Sequence, residues 1–253
     1  MFKNFFLLEL KYTLKQPMVY IMLSIITLLV FGASASDNIV IGGSVGNVYR
    51  NAPHIITIYT TVLTIFGLII ASAFFNNAAL RDHNNQFNEI LFSTPLSKAG
   101  YFFGRFFGAL FLATIPMLGV FLGAMLASVL APAFGWMDAD RYGDFYLATF
   151  ANNYLLFILP NMFFAGIIIF TLAHKLKSTV ISFLGALLIM IGYIVSGTLI
   201  SDIDNETIGA LTDIFGVRTY GIDTKYFTPL EKNTISPSFS GCLLYTSPSP
   251  RDA

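Results

Sequence analysis

The chain has 253 residues, of which 55% are hydrophobic, 15% aromatic and only 11% charged. A soluble domain carries about 25% charged residues, and a water-soluble globule of this length could not bury so much apolar surface in one core. The 14 basic residues balance the 14 acidic ones, which removes the electrostatic case for a nucleic-acid-binding protein. The composition therefore predicts an integral membrane protein, and the single cysteine excludes a disulfide framework.

The first 17 residues alternate Phe and Leu with Lys3, Lys11 and Lys15. This segment is too polar to cross a bilayer and too apolar to stay in water. It predicts an interfacial amphipathic helix that ends near Pro17. A secretory signal peptide is the rival interpretation, but the charges interrupt the apolar stretch instead of preceding it.

Five stretches reach the roughly 20 mostly apolar residues that a spanning helix needs. They are Met18–Ser36, Ile55–Phe75, Phe102–Ala131, Phe145–Ala173 and Thr179–Ile200. The third contains Pro116 and the fourth Pro160, which predicts tilted or broken helices. The predicted fold is an all-α polytopic bundle over residues 18–200, part of a transmembrane domain of six or more spans.

Basic residues indicate the orientation. One predicted side collects eight Lys and Arg side chains against the acids Glu9, Asp82 and Glu89, whereas the opposite short loops hold only Arg50 and Arg141 against four aspartates. By the positive-inside rule the base-rich side is cytoplasmic. The N-terminus is then inside, and residues 201–241 are outside and lead to a further helix.

The last twelve residues, Cys242–Ala253, read CLLYTSPSPRDA and bear no relation to the apolar pattern before them. The DNA that encodes this string looks like a sequencing-library adapter read through in frame. We interpret it as a non-native tail, so that the natural chain would continue beyond Gly241. A genuine disordered tail is the alternative.

The longest polar stretch on the predicted inner face covers residues 76–100. In it Arg81, Asp82 and Glu89 flank a short helix-competent run that Thr94 and Pro95 end. Such an element could lie along the membrane surface and contact a cytoplasmic partner. An ordinary loop with basic anchors is the alternative.

The order of residues in this stretch resembles the permeases of ABC-2-type transporters. The resemblance is carried by Arg81-Asp82, Glu89-Ile90-Leu91, Ser93-Thr94-Pro95-Leu96-Ser97, Tyr101 and Gly104-Arg105-Phe106. Further along, Asp213-Ile214-Phe215-Gly216, Thr228 and Glu231-Lys232-Asn233-Thr234 resemble a narrower bacterial group, in which such a permease is fused to a C-terminal zinc aminopeptidase.

The resemblance implies a coupling helix in the loop at residues 76–100, which docks on a cytoplasmic ABC ATPase. Arg81, Asp82 and Glu89 would lie in or beside it, and Pro95 would end it. ATP and magnesium would bind to the partner ATPase, and this chain would hold no cofactor and no metal. A second permease copy or half, a bacterial inner-membrane location and substrate export are also implied.

Catalytic signatures are missing from the sequence, since it has neither GxxxxGK[ST] nor HExxH. We therefore expect no enzyme activity in this chain. Two GxxxG spacings, Gly104–Gly108 and Gly119–Gly123, predict close helix packing. Three amides in the fourth predicted span face either another helix or a polar path; they are Asn152, Asn153 and Asn161.

Two other functions stay open at this point. One is the membrane-anchor portion of a membrane-bound zinc aminopeptidase, with HExxH in the sequence that follows. The other is a secondary transporter or channel. Against the latter, no acidic or basic residue lies deep in a predicted span, which favours energy supplied from outside the chain.

Overall fold

The computed structural model describes residues 2–42, 46–87, 93, 97–199 and 213–238, and within these ranges it contains helices and turns but no strand. Five of these helices are long and apolar enough to cross a membrane, which confirms the predicted transmembrane helical bundle. They are Pro17–Ala35, Pro53–Asn84, Lys98–Ala133, Leu147–Leu176 and Thr179–Gly197. Residues 201–212 and 239–241 of the predicted outer segment and the whole tail 242–253 lie outside the described residues.

We number the α-helices of the described residues in chain order. They are α1 (Phe2–Thr13), α2 (Pro17–Ala35), α3 (Pro53–Asn84), α4 (Lys98–Thr114), α5 (Gly119–Ala133), α6 (Leu147–Asn153), α7 (Leu159–Leu176), α8 (Thr179–Leu199), α9 (Val217–Asp223) and α10 (Pro229–Thr234). Two 3₁₀ turns cover Pro116–Leu118 and Ala139–Arg141, and a π-helical turn covers Tyr154–Ile158.

Local sequence signals account for the helix starts. Pro17 and Pro53 occupy the first positions of α2 and α3, where a missing N–H costs nothing. The Ser97 hydroxyl accepts a hydrogen bond from the Gly100 N–H at 3.2 Å and caps α4. Thr228 and Glu231 form a reciprocal capping box at the start of α10.

Prolines interrupt the third and fourth spans, as predicted. The 3₁₀ turn that begins at Pro116 separates α4 from α5, and the π-helical turn lies just before Pro160. A proline nitrogen cannot bond the carbonyl four residues earlier, so the helix must tighten or widen locally. Each break therefore has its cause in one residue.

The described residues form two compact units. Unit 1 draws on Met1–Ile26, Thr64–Leu118 and Asn161–Leu199, and unit 2 draws on Thr27–Leu63, Gly119–Pro160 and Ile200–Ala253.

An aromatic cluster forms the centre of unit 1. The Phe106 ring lies 5.6 Å from both the Phe75 ring and the Phe170 ring, in geometries that favour aromatic pairs. Gly166 is required beside it, because a Cβ at that position would overlap the Phe75 ring. The cluster joins α3, α4 and α7.

In unit 2, side-chain hydrogen bonds join loops that are far apart in the sequence. The Asn51 side chain donates to the Gly143 carbonyl at 2.6 Å and accepts from the Gly143 N–H at 2.8 Å. The Tyr49 N–H donates to the Asn233 side chain at 2.9 Å. The segment 213–238 is thus attached to the loop that precedes α3.

One predicted boundary differs from the structure. Residues 76–84 were expected to begin the cytoplasmic loop, but they continue α3 to Asn84, and the helix stops where Gln86 takes a positive φ of 55°. Polarity suggested a loop here, but Ala78, Ala79 and Leu80 are buried. We call the stretch that follows α3 the connecting segment (residues 85–97); its residues 88–92 and 94–96 lie outside the described residues.

Candidate functional site

Four buried charged side chains of unit 1 meet where α1, α3 and α4 pack together. Glu9 is 1% exposed, Arg105 3%, and Arg81 and Asp82 9% each. We call these four residues the charge cluster. Two come from the end of α3, one from α4 and one from α1.

Glu9 lies at the centre of the charge cluster. Its Oε2 accepts hydrogen bonds from Arg81 Nη2 at 2.7 Å and from Arg105 Nη1 at 3.0 Å. Its Oε1 accepts a second bond from Arg81 Nη1 at 3.3 Å, so the Arg81 pair is two-pronged. A third contact comes from the Thr13 hydroxyl at 3.4 Å.

Asp82 completes the charge cluster on the other side of Arg105. Its Oδ2 accepts from Arg105 Nη2 and from the Tyr101 hydroxyl, the latter at 2.8 Å. Aromatic rings cover both guanidinium groups, since Arg81 lies 4.0 Å above the Tyr12 ring and Arg105 lies 5.4 Å from the Tyr101 ring. Both carboxylate oxygens of Glu9 and Oδ2 of Asp82 thus accept from donors of the chain itself.

Glycines explain how α1 comes so close to α4. A Cβ on Gly104 would lie 2.7 Å from Phe5 Cβ, and a Cβ on Gly108 would lie 2.7 Å from Glu9 Cβ. Contacts this short do not occur, so both positions need glycine. The first GxxxG spacing therefore packs α4 against α1 and, because Arg105 lies between the two glycines, brings Glu9 within its reach.

The electrostatic balance of the charge cluster is neutral, with two guanidinium groups against two carboxylates. Each ion alone would lose several kcal/mol of hydration on burial. Their mutual contacts offset this cost only while all four are present. Within the described residues, Arg105 Nε is a buried donor without a partner, so the network already holds one unsatisfied group.

The charge cluster joins both ends of the connecting segment. Arg81 and Asp82 come just before it, and Tyr101 and Arg105 just after it. The contacts of Asp82 with Tyr101 and Arg105 hold together the two helix ends that flank the segment. Glu9 attaches these helix ends to α1.

Of the four residues expected in the coupling element, the structure places two. Arg81 and Asp82 lie near the end of α3, just before the connecting segment, and are buried in ion pairs. Glu89 and Pro95 lie outside the described residues.

The sequence analysis missed Glu9 as a partner. Glu9 is the one acidic residue in α1, amid bulky apolar side chains. An arginine flanked by glycines at the start of the third span was the other signal. The sequence does not show that α1 packs against α4, and without that knowledge Glu9 and Arg105 could not be predicted to form an ion pair.

The second GxxxG spacing packs against a different helix. Gly119 and Gly123 are both buried on α5. A Cβ on Gly123 would lie 2.5 Å from the Thr27 carbonyl oxygen and 2.9 Å from Val30 Cβ, both on α2.

The amides of the fourth span bond to other parts of the chain. Within unit 2, Asn153 donates to the Thr57 hydroxyl at 3.1 Å, and Asn152 donates to the Pro237 carbonyl at 2.7 Å. Within unit 1, Asn161 donates to the Thr64 hydroxyl at 3.2 Å. For Asn153 and Asn161 these contacts favour the helix-packing interpretation over a polar path.

Among the described residues, no group of three His, Cys, Asp or Glu side chains is placed to hold a metal ion. The charge cluster holds α1, α3 and α4 together, because Glu9 and Oδ2 of Asp82 accept hydrogen bonds from arginine and tyrosine donors of the other helices. No family model matches the chain, and no curated protein or solved structure is significantly similar to it.

Proposed function

We propose that this chain is the transmembrane permease subunit, or half, of an ATP-driven exporter of the ABC-2 type. A separate cytoplasmic ATPase would bind ATP and magnesium, and a second permease copy or half would complete the transporter. Support comes from the five apolar helices and from the resemblance of residues 81–106 to such permeases. The charge cluster carries the proposal, because it ties both ends of the connecting segment to α1.

In the proposed mechanism, the ATPase contacts the connecting segment and moves it when ATP binds. Because Asp82 bonds to Tyr101 and Arg105, the ends of α3 and α4 would move together. Glu9 would carry the same displacement to α1. A ligand shifts an equilibrium only through different affinities for its two states, so the ATPase must contact the segment differently in the inward- and outward-facing states.

The proposed location is the bacterial inner membrane, with the N-terminus and the connecting segment cytoplasmic. The excess of Lys and Arg on this side supports that orientation. Lipids surround the spans, and nucleic acid is not a partner. The chain itself would have no catalytic residue.

The decisive experiment is co-purification of the tagged chain with the ABC ATPase encoded beside its gene. The unchanged chain is expected to retain the ATPase, and Glu89→Ala in the connecting segment is expected to lose most of it. The matched control is Asp140→Ala, an acid on the predicted opposite side, which should retain it.

Two results would overturn the proposal. One is an unchanged chain that binds no ATPase in the membrane. The other is transport that continues without ATP and stops when the proton gradient is collapsed, which would favour a secondary transporter.

A further inference from the structure

Helix α1 has two faces of opposite charge. Its inner face buries Glu9 and Thr13, and Glu9 lies against α4. Its outer face carries Lys3, Leu7 and Lys11, which follow one another every four residues and are all exposed. A step of two residues turns an α-helix by about 200°, so Leu7 and Glu9 point in nearly opposite directions. The acid of α1 therefore faces the protein, and its lysines face away from it.

The outer face continues past the end of α1. The Leu14 N–H donates to the Leu10 carbonyl at 3.0 Å, which extends the helical hydrogen-bonding pattern. Lys15 comes four residues after Lys11 and is exposed, and Leu14 beside it is 36% exposed. We call five residues the outer stripe: Lys3, Leu7, Lys11, Leu14 and Lys15.

The acids of unit 1 cannot neutralise the outer stripe. Unit 1 has eight Lys and Arg residues but only three acids, which are Glu9, Asp82 and Glu89. Glu9 and Asp82 are already paired with Arg81 and Arg105 in the charge cluster. Six lysines and Glu89 remain, and one carboxylate neutralises at most one of them. The ion pairs of the described residues include no lysine of the outer stripe. At least two of its three lysines thus keep their positive charge.

The outer stripe lies at the ends of two spanning helices. Only three residues separate the end of α1 at Thr13 from the start of α2 at Pro17. The contacts of α1 with Gly104 and Gly108 lie in the N-terminal part of α4, where the third span begins. A helix at this position lies at the depth of the lipid headgroups, where lysines attract anionic lipids and leucines reach the acyl chains.

We propose that the outer stripe binds the headgroups of anionic lipids, with its lysines contacting phosphate groups and Leu7 and Leu14 contacting the adjoining acyl chains. The alternation of lysine and leucine favours a lipid over an acidic protein, because it matches a surface that is anionic at the headgroups and apolar directly below them. This inference does not depend on the exporter proposal, since no residue of the outer stripe belongs to the charge cluster or the connecting segment.

The test measures which lipid contacts Leu7, by quenching of tryptophan fluorescence with brominated lipids in nanodiscs. The reporter is the full chain with Trp136→Phe, which removes its single natural tryptophan, and Leu7→Trp. Brominated phosphatidylglycerol should quench it more strongly than brominated phosphatidylcholine at equal mole fraction. Each lysine near an anionic surface strengthens binding roughly fivefold. Lys11→Gln should therefore weaken the preference about fivefold, and Lys3→Gln/Lys11→Gln/Lys15→Gln should abolish it.

Two controls separate the outer stripe from the bilayer in general. Lys3→Arg/Lys11→Arg/Lys15→Arg preserves the charge and should keep the preference. Leu188→Trp in place of Leu7→Trp moves the reporter to the middle of α8, where Leu188 is 69% exposed, and should show no preference between the two lipids. A thermal unfolding midpoint for each variant checks that the fold is retained.

Four results would overturn the proposal. The first is equal quenching of the Leu7→Trp reporter by the two lipids, and the second is a preference that survives the triple Lys→Gln change. The third is an equal preference at Leu188→Trp, which would make it a property of the bilayer. The fourth is no quenching at Leu7→Trp by either lipid, which would place the outer stripe in water or against a protein.

Discussion

The two units place their charged side chains in opposite ways. Unit 1 buries two arginines and two acids against one another, so that the charge cluster is neutral and closed. Unit 2 pairs Arg50 with Asp37, but that acid is exposed. Breaking a buried ion pair costs more than breaking an exposed one, because a buried ion left alone cannot regain its hydration.

The largest effect should come from breaking the charge cluster. Glu9→Gln leaves two buried guanidinium groups without their shared anion, which should lower the free energy of unfolding by about 3–5 kcal/mol. Chemical unfolding of the purified chain in detergent measures it. The control is Asp138→Asn, an exposed acid whose side chain makes no capping bond. If both variants lose equally little, the charge cluster does not stabilise unit 1.

The second largest effect is expected from a substitution that pushes α1 away from α4. Gly108→Ala places a methyl group 2.7 Å from Glu9 Cβ and should destabilise the chain by about 1–3 kcal/mol. Gly192→Ala on α8 is the matched control, because a Cβ there meets nothing within 4 Å. That change should be neutral or stabilising, since alanine favours a helix. Equal unfolding curves for the two variants would contradict the packing described for α1.

A double-mutant cycle sharpens the account of how the connecting segment is fixed. Asp82→Asn, Arg105→Gln and the double variant should give a coupling energy within the range of about 0.5–3 kcal/mol found for contacting residues. The measurement is again chemical unfolding in detergent. Additive losses would mean that Asp82 and Arg105 do not act together at the two ends of the segment.

The smallest effect should appear in unit 2 alone. Thr228→Ala removes the capping box of α10 and should cost about 1 kcal/mol locally. Amide hydrogen exchange should speed up in α10 and leave the amides near the charge cluster unchanged. Thr234→Ala, at the other end of α10, is the control and should have a smaller effect. Faster exchange in both units would contradict a local effect of the capping box.

Much of the fold follows from local sequence. Apolar stretches longer than a bilayer needs predicted five helices, and Pro116 and Pro160 predicted where two of them break. The end of α3 was predicted too early, since polar residues after Phe75 resemble a loop. They remain helical because Arg81 and Asp82 find partners from α1 and α4, and no local pattern shows those partners.

The candidate site was predictable only in part. The sequence singled out Arg81 and Asp82, together with the glycines that flank Arg105, and the resemblance placed the two charges in or beside a coupling helix. The structure pairs these charges within the chain through Glu9, which lies 72 residues before Arg81. Similarly, only the fold places Lys225 and Lys232 beside His54 around one cavity.

The sequence by itself thus determined the membrane class, the five spans found among the described residues and the breaks in two of them. These depend on hydrophobicity and backbone chemistry, which act over a few residues. The tertiary structure alone decided which charges neutralise one another. An ion pair depends on the distance between groups far apart in the chain, and that distance exists only after α1 has packed against α4 and the segment 213–238 against α3.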